Sequence, residues 1–134
     1  MKIAVSASGD SLDANVDPRF GRCPYFIILE TEGNEIKGHK VINNQATEAM
    51  RGAGIQAAQN VANKGAKVVI TGNIGPNAFN ALSQTGIKVV TGVSGKISEV
   101  VKKYLNGELK ETTQPTVRFG RGMGRGFGRG RWNR

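Results

Sequence analysis

Two arginines, one cysteine and two prolines fall within eight residues, Asp17-Pro18-Arg19-Phe20-Gly21-Arg22-Cys23-Pro24. A guanidinium is a permanent cation with a planar fork of N–H donors, suited to anions. A thiol, once ionised, is a nucleophile or a soft metal ligand. The prolines fix φ and bias Asp17 and Cys23 towards extended backbone, and Gly21 allows a shape that other residues resist. The stretch lies late in a connection of about seventeen residues between the apolar runs Ile3-Ala4-Val5 and Tyr25-Phe26-Ile27-Ile28-Leu29. Connections that long, without structure of their own, are binding loops or disorder. The stiffening favours a built loop that presents cations.

Other residues extend the anionic theme. Thr71-Gly72-Asn73-Ile74-Gly75-Pro76-Asn77 is a glycine-bearing turn ahead of a helix, where N–H groups and a positive dipole end point outward. Gly92-Val93-Ser94-Gly95 fits the same description less sharply, and Gly52-Ala53-Gly54 is a third such turn. No Gly-Lys-Ser/Thr follows any of them, so a phosphate loop is excluded. Cys23 is a single soft ligand or a packed thiol. One cysteine and one histidine, His39, cannot complete a zinc or iron–sulfur site. Covalent catalysis lacks a neighbouring base, because His39 falls in an edge strand. Asp10, Asp13 and Asp17 share one loop, which argues for solvated or turn-capping carboxylates rather than a metal nuclease.

Elements follow from periodicity. Met1 to Ala7, Tyr25 to Glu30 and Ile36 to Ile42 read as strands, the last near an edge. The turn Glu32-Gly33-Asn34-Glu35 is too short for anything but an antiparallel pair. A helix runs to about Asn63 with Ile55, Ala58, Val61 and Ala62 inward, and Gly65 stops it. Ala66 to Thr71 contains Val68-Val69-Ile70, a short buried strand. Pro76 opens a helix to about Gln84 with Ala78, Phe79 and Leu82 inward. Ile87 to Thr91 is a further strand. Ile97, Val100, Val101, Tyr104 and Leu105 trace a last helix, with Ser94 as N-cap and Gly107 as stop. The order β-β-β-α-β-α-β-α predicts a mixed five-stranded α/β sheet whose first, fourth and fifth strands are parallel. Their carboxyl ends gather the cationic loop and the turns at one rim, where open α/β sheets bind ligands.

The net charge of +9 divides unevenly. Six arginines and no acid lie between Val117 and Arg134, leaving 13 basic and 10 acidic side chains before them. A folded unit over 1–112 and a disordered Gly/Arg-rich tail over 113–134 are expected. Arginines interleaved with Phe119, Phe127 and Trp132 suit weak, sequence-blind contact with nucleic acid. With no signal peptide and no apolar run of membrane length, the expected setting is the cytoplasm, without membrane contact.

Val16-Asp17-Pro18-Arg19-Phe20-Gly21-Arg22-Cys23-Pro24-Tyr25-Phe26, Gly52-Ala53-Gly54 and Thr71-Gly72-Asn73-Ile74-Gly75-Pro76-Asn77-Ala78-Phe79 together resemble the dinitrogenase iron–molybdenum cofactor-binding family. Leu82, Gly86-Ile87-Lys88-Val89 and Tyr104-Leu105-Asn106-Gly107-Glu108-Leu109 extend the resemblance over about residues 2 to 110. It implies a ribonuclease-H-like three-layer fold without nuclease activity. It also implies non-covalent binding of an anionic molybdenum- or iron-containing sulfide cluster, as in nitrogenase cofactor carriers and a related carrier of molybdenum–copper sulfide. On this reading the chain is a non-enzymatic carrier or scaffold, a monomer or weak dimer that works with cluster donor and acceptor proteins. Arg19, Phe20, Gly21, Arg22 and Cys23, with Gly72 to Asn77, form the binding residues, Cys23 as an optional metal ligand.

Overall fold

The apolar runs become strands and the helical periodicities become helices, in the expected order. The computed structural model describes residues 1–44, 53–113 and 115. Along the chain lie β1 (Lys2–Ala7), β2 (Tyr25–Glu32), β3 (Glu35–Asn43), α1 (Ala53–Asn63), β4 (Val68–Ile70), α2 (Pro76–Gln84), β5 (Lys88–Val90) and α3 (Ile97–Leu105). One five-stranded sheet results, in the order β3-β2-β1-β4-β5. The β2–β3 hairpin and the β1–β2 pair are antiparallel, and β1, β4 and β5 are parallel. The short β2–β3 turn permits only antiparallel pairing, and the helical crossover from β4 to β5 imposes the parallel kind.

Alternation along the strands builds a core on each face of the sheet. Ala4, Phe26, Ile28, Val69 and Val89 pack with α1 and α2. Their sequence neighbours Ile3, Val5, Ile27, Leu29, Val68, Ile70 and Val90 pack with α3. The architecture is three-layered, helix on sheet on helix.

Three local expectations change. Ile55 is 37% exposed, because α1 buries Ala53, Ala57, Ala58 and Val61 instead. Phe79 is half-buried at the margin of the α1–α2 core. Ser94 is not the cap of α3, which begins after Lys96 without a side-chain cap. There the Ile97 and Ser98 N–H groups donate to the Ala14 and Leu12 carbonyls, at 3.0 and 3.1 Å. The long first connection itself caps the helix.

Beyond α3 the chain runs along the outer edge of β5. The Thr112 N–H donates to the Val89 carbonyl at 2.6 Å, and the Thr91 N–H donates to the Thr112 hydroxyl at 2.9 Å. The described part of the body therefore reaches Thr112. The Gly/Arg-rich stretch from 116 onward, the 45–52 segment and the turn residue Gly52 lie outside the described residues.

The sheet's carboxyl rim is closed by one crowded contact. A Cβ on Gly72 would stand 2.6 Å from the Pro18 Cα, whereas one on Gly75 would meet nothing within 4 Å. Gly72→Ala is expected to lower stability by about 1–3 kcal/mol, the usual cost of overpacking, and Gly75→Ala by less than about 1 kcal/mol. Urea denaturation of the two variants checks this. Equal losses would contradict the close approach.

Candidate functional site

Three segments meet at the rim. Pro18–Arg22 from the first connection, Ala53–Ile55 from the start of α1 and Asn73–Ala78 from the start of α2 line one open cleft of about 560 Å3. Glycines let their backbones touch. A Cβ on Gly21 would come within 2.9 Å of the Gly54 nitrogen, and one on Gly54 within 3.0 Å of the Ala78 Cβ. Gly21 is therefore needed for proximity, and its φ does not lie in the left-handed region. Arg19 and Asn73 form a parallel bridge, in which the Asn73 N–H donates to the Pro18 carbonyl at 2.9 Å.

Asp17 fixes the loop to the sheet. Its N–H donates to the Ser6 carbonyl at 2.8 Å, and its own carbonyl accepts from the Ser6 hydroxyl at 2.7 Å. Ser6 has one hydroxyl proton, so Thr71, 2.7 Å away, supplies the proton in the contact between the two hydroxyls. The Asp17 carboxylate, only 2% of the residue being exposed, accepts from the Arg19 N–H at 2.8 Å and from Nε and Nη2 at 3.1 Å each. Burial alone would raise its pKa. The hydrogen bonds and charge of Arg19 overturn that and hold it below the ordinary carboxylate value.

This ion pair corrects the picture of two equivalent cations. Arg19 borders the cleft, but Asp17 neutralises its charge and takes two of its side-chain donors. Arg22 lies on the same wall and is exposed.

Asn44 holds the other side of the loop. Its buried amide donates to the Gly21 and Cys23 carbonyls, at 3.1 and 2.8 Å. The Cys23 thiol lies beneath the cleft with no exposed surface, donating to the Phe20 carbonyl at 3.3 Å. Burial, then the nearby Asp17 charge, push its pKa up to about 12. At neutral pH it is a protonated thiol, packed in the core and outside the cleft lining.

The structure thus brings Arg19, Phe20, Gly21 and Arg22 together with Asn73, Ile74, Gly75, Pro76 and Asn77. Gly72 sits just behind them against Pro18. Phe20 forms floor rather than wall, 2% exposed and packed on Phe26 with ring centroids 5.3 Å apart. The apolar wall is Ile55, which periodicity assigns to the core. A signal against that assignment exists: Ile55 falls off the stripe of Ala53, Ala57 and Val61. Asn44 carries no signal short of the fold.

The donors divide as clearly. The Gly92–Gly95 turn stays outside the cleft, its backbone used against the first connection (Val16 N–H to Gly95 carbonyl, 2.9 Å). The Asn73 N–H is taken by Pro18, and Pro76 has none. What remains is the first turn of α2, whose N-cap Gly75 makes no side-chain cap bond and whose Asn77 and Ala78 line the cleft. First-turn N–H groups have no partner within their own helix. Among the described residues no three His, Cys, Asp or Glu side chains converge as a metal site. His39 is exposed on β3, away from Cys23. The described lining of the cleft, with its guanidinium groups and helix start, suits an anion held by hydrogen bonds.

The lowered Asp17 pKa sets a pH dependence. Its stabilisation is complete above its ordinary pKa of about 4 and is lost as pH falls through the lower folded value. Asp17→Asn should cost about 1–3 kcal/mol at neutral pH, and the difference from wild type should shrink in acid below about pH 3. Urea midpoints across that range check it; a gap independent of pH would contradict the ion pair's role.

The same cleft-forming segments lie within a family match. Residues 1–107 match the family described as dinitrogenase iron-molybdenum cofactor. The apo form of the orange protein from Desulfovibrio gigas superposes with a TM-score of 0.81 at 37% identity, over 86% of this chain and 95% of that one. A candidate NifB protein from Thermotoga gives 0.71 at 32% identity, over 86% and 97%. The uncharacterised protein MJ0580 of Methanocaldococcus jannaschii is 39% identical over 111 residues, 83% of this chain and 91% of that protein. With its fold, its cleft segments and nearly its whole described body accounted for, the chain belongs to the dinitrogenase iron–molybdenum cofactor family.

Proposed function

We propose that this protein is a non-enzymatic carrier or scaffold that holds a preassembled anionic metal–sulfur cluster in the 18–22/53–55/73–78 cleft. The observation that carries this reading is the pairing of Arg22 with the uncapped start of α2 across an open cleft whose described lining holds no metal-ligand cluster. Such a site recognises the cluster's outer sulfides and leaves its metals to their own ligands. Family membership and similarity to the orange protein, known in an apo form, support the same cargo class.

The energetics fit a carrier. Micromolar affinity corresponds to about 8 kcal/mol. A charge-assisted hydrogen bond contributes about 1.5–3 kcal/mol and a helix N-terminus about 0.3–1 kcal/mol. A few of the former, one of the latter and apolar cover from Ile55 reach that range. Release to an acceptor protein then remains accessible. Donor and acceptor proteins are the partners this role requires, in the cytoplasm. The six tail arginines suggest a separable, weak contact with nucleic acid, removed by truncation after Thr116.

Titration of apo-protein with tetrathiomolybdate and Cu(I), followed by visible absorbance, tests the reading. A saturable charge-transfer band is expected, and Arg22→Ala should weaken binding about tenfold, the equivalent of one lost charge-assisted bond. No band, or a band indifferent to Arg22→Ala and Asn77→Ala, would overturn it.

A further inference from the structure

The sheet's two outer edges are treated differently. The edge of β5 is covered by the chain around Thr112, while β3 has, among the described residues, β2 as its one neighbour in the sheet. A nine-residue edge strand is a template for another extended chain. We infer that β3, with the groove between it and α1, docks an acid-bearing extended segment of a partner protein.

The face of β3 towards α1 carries the argument. Ile42 packs with the α1–α2 core, and Lys40 and Gly38 share its face by alternation, paired with Ile28 and Glu30 of β2. Two adjoining hollows of about 470 and 270 Å3 lie there, with Lys64 bordering both. Lys2, Lys40 and Lys64 surround the smaller one, together with His39. The one carboxylate bordering it among the described residues, Glu30, is already held by the Met1 ammonium at 3.3 Å. Three lysines thus border a groove whose one described carboxylate is paired with the N-terminus.

Gly38 shapes the same face. Glycine inside a strand weakens it and usually answers to a bulge or a close approach. Gly38 adjoins a bulge: Glu30 pairs with Gly38 but Thr31 with Ile36, leaving Lys37 as the extra residue. Here φ is not left-handed and a Cβ would meet nothing within 4 Å. The consequence of the missing side chain is that the groove stays open beside Lys40 and Lys64. A strand added to β3 sets every second side chain over Gly38 and Lys40, roughly 5 Å away. Lysine on an edge normally repels stray strands, so this edge rejects neutral or basic chains and accepts acidic ones. Asn43, Asn60 and Asn63 in the larger hollow offer hydrogen bonds but no ring on which a base could stack, which favours a peptide over nucleic acid.

The test uses the full chain, so that the cationic tail is constant throughout. Fluorescence anisotropy would follow a labelled peptide of about ten residues alternating Glu and Thr, the pattern that strand addition requires. Lys40→Glu with Lys64→Glu should weaken binding at least about tenfold. Gly38→Val should weaken it comparably while Tm holds or rises, because valine favours strands and has room. Should Gly38→Val fail to fold, the double lysine variant decides alone, since both side chains are exposed. Peptide affinity unchanged in these variants would assign the binding to the tail and overturn the inference. So would an absence of binding by wild type, or a single-stranded oligonucleotide that displaces the peptide and loses its own affinity in the same variants.

Discussion

The candidate site depends on one buried carboxylate. Asp17 ties the end of β1 to the cationic loop through its backbone and ties Arg19 to the loop through its side chain. A lone buried carboxylate is costly, and a hydrogen-bonded one locks whatever satisfies it. The lock has a definite direction. It puts Pro18 against Gly72, which sets the bridge to Asn73, which in turn leaves Gly75 to Ala78 along the cleft. Asn44 repeats the device on the far side, with a neutral amide in place of the charge. The loop is thereby a rigid wall, and a rigid wall of donors can meet an anion without first ordering itself.

The same interaction limits what the loop offers. Arg19 spends its charge internally, which leaves Arg22 and the start of α2 as the other positive features of the cleft wall. Cys23 is buried beneath the loop, and its thiol is held in the protonated form by that burial.

Much of the fold is legible in the amino-acid sequence, because it rests on short-range pattern. Val68-Val69-Ile70 between two helical segments has one reading, and so has a two-residue turn at Gly33-Asn34. The location of the site follows from topology, since parallel strands bring their carboxyl ends to one rim. Contacts between segments far apart in sequence leave no such pattern. The Gly92–Gly95 turn has the composition of an anion site, yet its backbone serves the residue 12–16 segment. Gly21 reads as conformational freedom and turns out to be clearance for Gly54. Asn44 closes the loop from a position that carries no local signal. Ile55 illustrates a milder failure: a large apolar residue near a helix start reads as core because a ligand wall and a core face share one residue type.

Assignment of backbone amide resonances, followed by titration with tetrathiomolybdate, probes the central claim most directly. Outer-sphere capture in the cleft predicts that the amides of Gly75, Asn77 and Ala78 and the Nε–H of Arg22 shift together and saturate at one concentration. Shifts confined to the arginine-rich tail or to the β3 edge, with the start of α2 unmoved, would contradict it.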